Sequence, residues 1–127
     1  MHKRFDIVDK SIVLSSKEDN TIDFYLNPDD AEKQVILKSL DFDEHTLSSA
    51  LDADEVSRIE FEPGYTFILW KHPNNYSFEN QLQFNVSSLG IILTRKKIVL
   101  ILTDDYTLYD RREFNKVNSL NDYLLKI

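Results

Sequence analysis

Apolar and polar positions divide the 127-residue chain into short segments with either a strand's or a helix's period. Phe5-Asp6-Ile7-Val8-Asp9 and Ser11-Ile12-Val13-Leu14-Ser15, separated by Lys10, have the β-branched content and length of a hairpin, and Thr21 to Leu26 predicts a third strand. Asn27-Pro28-Asp29-Asp30 then reads as a helix start. Asn27 is the expected N-cap, Pro28 the first helical residue, and the acids face the positive end of the helix dipole. Ala31, Val35, Leu37 and Leu40 give this helix, about 28 to 40, its apolar face. Asp43 caps a shorter helix in which Leu47, Ala50 and Leu51 form one stripe, with Glu44, His45, Ser48 and Ser49 on the opposite side.

Ala53-Asp54-Glu55 forms an elbow, after which Ser57 to Phe61 alternates with a period of two. Glu62-Pro63-Gly64-Tyr65 places Pro and Gly where a type II turn needs them. The chain folds back as Thr66 to Lys71, with Phe67 and Leu69 on one face and Ile68 and Trp70 on the other, which predicts a strand covered on both sides. A polar loop spans Tyr76 to Glu79. Leu82, Phe84 and Val86 alternate, Gly90 marks a bulge or bend, and Ile91 to Leu93 continues the strand. Arg95-Lys96-Lys97 is a turn, and Ile98 to Leu102, apolar throughout, is a central strand. In the irregular stretch 103–117, Tyr106, Leu108, Tyr109 and Phe114 are expected to pack over a sheet edge. Ser119 opens a last helix with Leu120, Tyr123, Leu124 and Ile127 in amphipathic register and no terminator. It reads equally as the start of a longer helix or as a C-terminal helix docked on the sheet.

Length and composition fit one domain, residues 1–127, with a core large enough to need no staple. The absence of cysteine removes disulfides, thiolate metal sites and thiol nucleophiles. The longest apolar run, Ile98 to Leu102, is far short of the ~18 residues of a membrane span. Charge breaks the N-terminal segment before any signal-peptide apolar region forms. The net charge of -7 disfavours nucleic acid. That charge is concentrated in one place: from Asp41 to Glu62 there are eight acids and a single base, Arg58, while the other 14 acids are balanced by 14 Lys and Arg.

Chemistry is sparse elsewhere. Two glycines, Gly64 and Gly90, cannot make a phosphate loop; His2, His45 and His72 lack ligand spacing; no serine sits in a nucleophile elbow. Asp104 and Asp105 read as solvated acids. The sequence therefore predicts neither an enzyme, a cofactor site nor a small-molecule substrate. The acidic segment does have directed chemistry, because hard oxygen ligands at a helix end suit Mg2+ or Ca2+. There is no EF-hand spacing, so a weak, partly hydrated site is expected, or one completed by a second subunit; a solvated acidic surface is the plainer alternative.

The order Phe42-Asp43-Glu44-His45, Leu47, Leu51 and Asp52, the elbow, Arg58-Ile59-Glu60-Phe61, Tyr65-Thr66-Phe67-Ile68-Leu69 and Val86-Ser87-Ser88-Leu89-Gly90-Ile91-Ile92-Leu93 resembles the N-terminal cytosolic domain of CorA-like magnesium and cobalt transporters. The resemblance implies an α+β fold, an α/β/α sandwich around a mixed, largely antiparallel sheet, whose last helix leads near residue 119 into a stalk and then a membrane part absent here. It also implies a homopentamer at the cytoplasmic face of the membrane whose soluble domains sense Mg2+, or Co2+, through ions bridging adjacent subunits. One departure bears on sensing: Ser48 and Ser49 stand where the family often has acids. The resemblance therefore directs the metal expectation to Asp52, Asp54 and Glu55. An autonomous acidic module that binds a basic protein surface, or the same domain in a zinc-transporting relative, are the alternatives.

Overall fold

In a computed structural model of the chain the described residues are 1–40, 42–52, 54–73 and 86–103, with backbone alone for 40, 72, 73, 86 and 87. The element order is β1 (His2–Val8), β2 (Ser11–Leu14), β3 (Ile22–Leu26), α1 (Asp30–Leu40), α2 (Glu44–Leu51), β4 (Arg58–Glu62), β5 (Tyr65–Pro73), β6 (Val86–Leu93) and β7 (Ile98–Leu102). These strands form one sheet in the order β2-β1-β3-β7-β6-β5-β4. β3 and β7 pair in parallel, and every other described pair is antiparallel. This is the mixed, largely antiparallel α+β arrangement that the resemblance implies.

The pattern of β7 explains its place. A strand apolar at every position is stable only where both faces are covered, and all five residues of β7 are buried. Alternation sends Ile98, Leu100 and Leu102 to one face, with Phe5, Ile22, Phe24, Leu89 and Ile91. Val99 and Ile101 go to the other face, where Tyr25, Phe67, Leu69 and Ile92 meet Ile36 of α1, Phe42 of the interhelical link and Leu47 and Ala50 of α2. Both described helices thus pack on one face. Each large side chain so buried contributes about 1.5–3 kcal/mol. Gly90 of β6 allows a close approach of sheet and helix: a Cβ there would lie 2.8 Å from the Cβ of Ala50.

Several local expectations need correction. The α1 cap is Asp29, not Asn27. Glu32 N–H donates to Asp29 Oδ1 at 2.8 Å and Asp29 N–H donates to Glu32 Oε1 at 3.1 Å, a reciprocal capping box. Asn27 instead takes a left-handed conformation, φ 43°, that turns the chain out of β3, and Pro28 is buried ahead of the cap. Ile36 is the inward residue of α1, whereas Val35 and Ala31 are exposed. The Asp43 cap of α2 stands, its carboxylate accepting from His45 N–H at 3.1 Å. Ser49, expected on the outer side, is buried and donates to the His45 carbonyl at 3.1 Å. Asp9 and Lys10 both have positive φ, 50° and 63°, and form the turn of the β1–β2 hairpin.

Strand β4 keeps its period of two but inverts the usual facing. Arg58 and Glu60 lie half-buried on the helix side, while Ile59 and Phe61 are 58% and 81% exposed on the other. Trp70 of β5 is 58% exposed on that same face, so β5 is not covered on both sides as its pattern predicts. The Pro63–Gly64 turn is as expected, with Gly64 at φ 94°. The polar loop 76–79, the alternation at Leu82 and Phe84, the stretch 104–117 with its aromatic residues, the helix at Ser119 and any stalk beginning there lie outside the described residues.

Candidate functional site

The acidic elbow is built at the C-terminus of α2, where exposed helix carbonyls create negative potential. Asp52 is the C-cap; its N–H donates to the Ser49 carbonyl and its Oδ1 accepts from Asp54 N–H at 2.9 Å. The cation at this helix end is Lys71 of β5, whose Nζ donates to the Asp52 carbonyl at 3.0 Å and to Ser88 Oγ at 2.6 Å. The buried Ser88 hydroxyl in turn donates to the same carbonyl at 3.1 Å. Glu55 is committed elsewhere. Arg58 Nη1 donates to Glu55 Oε2 and Arg58 Nε to Glu60 Oε1, both at 2.7 Å, and these two carboxylates raise the Arg58 guanidinium above its ordinary value.

The structure therefore brings Asp52, Asp54 and Glu55 onto one elbow without converging their carboxylates. Asp54 is exposed, the Asp52 side chain holds its own loop, and Glu55 neutralises Arg58. Among the described residues no three His, Asp or Glu side chains gather closely enough to cage a metal ion. An ion here would have to be largely hydrated and met from one side, because the described carboxylates form no closed cage.

A second polar centre was not legible beforehand. Asp23 sits inside the apolar strand Ile22-Asp23-Phe24-Tyr25 and is buried. Its Oδ1 lies 2.7 Å from His2 Nε2 and its Oδ2 2.8 Å from Lys97 Nζ, with Arg4 Nε at 3.9 Å and Asn20 Nδ2 at 3.4 Å. Lys97 Nζ also donates to the carbonyl of Glu18 and to Asn20 Oδ1, both at 3.3 Å. The network ties β1, β3 and the loop before β3 to the start of β7. An acid within an apolar run is the one sequence signal it carries, because buried carboxylates need partners.

Beside this network is a cavity of about 380 Å³ lined by Asp23, Tyr25, Ile36, Ser39, Lys97 and Val99, among others. The Tyr25 ring stacks on His2 with centroids 4.0 Å apart. Burial, reinforced by the Asp23 carboxylate, pushes the Tyr25 phenol up to about 12. At the opposite end of β1, burial raises the Asp6 carboxyl, but hydrogen bonds from Ser15 and Thr21, with Lys17 nearby, outweigh it and hold the group below its ordinary value.

No family model matches the chain, and no curated protein does. Solved structures do. The complete CorA magnesium transporter from Methanocaldococcus jannaschii matches with a TM-score of 0.61 and 21% identity, over 85% of this chain and 34% of that one. The soluble domain of CorA from the same organism matches with a TM-score of 0.62 and 21% identity, over 84% of this chain and 42% of that one. The full-length CmaX protein matches with a TM-score of 0.52 and 9% identity, over 81% of this chain and 29% of that one. The chain thus spans less than half the length of each of these proteins. No described helix is long and apolar enough to cross a membrane. Over most of its length the chain has the fold of the CorA soluble domain.

Proposed function

We propose that the chain is the N-terminal cytosolic part of a CorA-like Mg2+ transporter and acts there as a regulatory domain rather than an enzyme. The observation that carries this reading is the likeness to two CorA structures over 84% and 85% of the chain. In this reading the stalk and membrane part belong to a longer protein that assembles as a homopentamer at the cytoplasmic face of the membrane. The acidic elbow supplies the ion response. Asp52 and Asp54 meet a hydrated Mg2+ or Co2+ from one side, and Glu55 joins only by releasing Arg58. An ion bound better in one arrangement of neighbouring subunits shifts the population toward it. The zinc-transporting alternative differs in the ion and leaves this geometry unchanged.

The test is titration of the 127-residue protein with Mg2+, Co2+ and Ca2+, followed by amide NMR. Saturable shifts confined to α2 and the elbow at millimolar Mg2+, weakened by Asp52→Ala or Asp54→Ala, are the expected result. A response that sodium chloride of equal ionic strength reproduces would remove the elbow from the ion reading.

A further inference from the structure

The cavity of about 380 Å³ beside the Asp23 network lies between α1 and the sheet, on the face where both described helices pack. Its walls include Asp23 and Tyr25 of β3, Ile36 and Ser39 of α1, and Lys97 and Val99 at the start of β7. A volume of this size falls in the range of sites that take small molecules. One group in the wall is unexplained by the fold. Tyr25 is only 4% exposed and its ring stacks on His2, yet its hydroxyl has no hydrogen-bond partner among the described residues. Buried phenols normally find one, because an unpaired O–H gives up its bonds to water for nothing in return.

The electrostatics of the same wall indicate what fits there. At neutral pH a phenol is protonated and donates. Lys97 is tied closely only to Asp23, at 2.8 Å; its bonds to the Glu18 carbonyl and to Asn20 Oδ1 are both 3.3 Å long and open to exchange. Ser39 Oγ donates to the Ile36 carbonyl at 3.4 Å, a long bond that leaves a third donor near the site. Even with His2 counted as neutral, Lys97 and Arg4 outnumber Asp23 by one charge. An adjoining cavity that shares Gly64 and Thr94 adds Arg95 and Lys96 against Glu62. The region is therefore basic in a protein whose net charge is -7. A cation would be repelled by this excess, and a purely apolar ligand would leave the phenol unpaired.

We propose that this cavity binds a small organic anion, whose phosphate or carboxylate head accepts from the Tyr25 hydroxyl and the Lys97 ammonium and whose apolar body rests on Ile36 and Val99. Hydrogen bonds to an ionised head are the strong ones, and the apolar floor adds burial that a bare inorganic ion cannot use. None of the elbow residues takes part, so the site stands whether or not the elbow meets Mg2+.

The test is amide NMR of the 127-residue protein titrated with phenyl phosphate and with benzoate, with phenol and inorganic phosphate as the separate halves. Saturable shifts at Tyr25, Ser39, Lys97 and Val99 with at least one of the two organic anions, about tenfold weaker with either half alone, are expected; the tighter anion identifies the head group. Tyr25→Phe should weaken binding about tenfold while leaving the urea midpoint at pH 7 unchanged or higher, since the hydroxyl removed has no partner to lose. Ser39→Phe, at an exposed position on the cavity wall, should abolish binding by filling the space without unfolding the protein. The inference is overturned by an absence of saturable shifts, by phenol binding as tightly as the anions, or by shifts confined to Arg95 and Lys96. Native affinity in Tyr25→Phe, or a lower midpoint for that variant at pH 7, would overturn it as well, since the hydroxyl would then be idle or serve the fold.

Discussion

At Gly90 the spacing between sheet and helix depends on one missing methyl group. Its backbone is ordinary, but a methyl group there would meet Ala50 Cβ at 2.8 Å, too close for two carbons. Gly90→Ala should therefore destabilise the protein by about 1–3 kcal/mol, read as a lower urea midpoint by circular dichroism, because α2 or β6 must shift to admit the added volume. Sequence marked Gly90 as special but gave a bulge as the reason, since contact with a residue forty positions earlier leaves no local trace. Asp23 was hidden for a similar reason: Lys97, which neutralises it, comes from a three-base turn that reads as solvated, and only strand pairing brings the two together. Tyr25 gives a pH signature. Its folded-state value is raised to about 12 against 10.0 for the free group, so its contribution is complete below pH 10 and is lost as pH rises toward 12. Urea titrations from pH 9 to 12 should show stability falling more steeply for the native protein than for Tyr25→Phe, which has no phenol to ionise.

For the elements, legibility followed pattern strength. β7 and the Pro63–Gly64 turn were plain because an apolar run and a Pro-Gly pair have few other solutions, whereas β5 was plain as a strand but not in its covering, since Trp70 is exposed. The start of α1 was less so: Asn27, Asp29 and Asp30 are all acceptable caps, and the reciprocal bond with Glu32 decides for Asp29. Asp29→Ala should cost about 1 kcal/mol in thermal or urea unfolding, whereas Asn27→Gly should be neutral or mildly stabilising because Asn27 holds a positive φ. The reverse order would restore Asn27 as the cap. In β4 the period was readable but the facing was not. Alternation fixes which residues share a side; which side is covered depends on elements far away in sequence. The elbow was legible as charge, yet its local use was not, because Arg58 claims Glu55 and Glu60 for structure and Asp52 Oδ1 holds its own loop.

In the whole molecule, the charge imbalance lies at one end of the sheet, while the buried ion network lies near its centre. The acidic end keeps Asp54 and Glu62 exposed, and the centre is joined by β3 and β7. That junction constrains how the protein is made. Ile22 meets Ile98, and the remaining four pairs hold the same offset of 76 residues. The three N-terminal strands therefore have no central neighbour until nearly the whole described chain has been synthesised, and the loop that must close is among the longest the chain offers. Folding is consequently late and cooperative. On a ribosome the first hundred residues would emerge with the apolar faces of β3 still uncovered, and this is the interval in which a chaperone, or a neighbouring nascent chain, would find them.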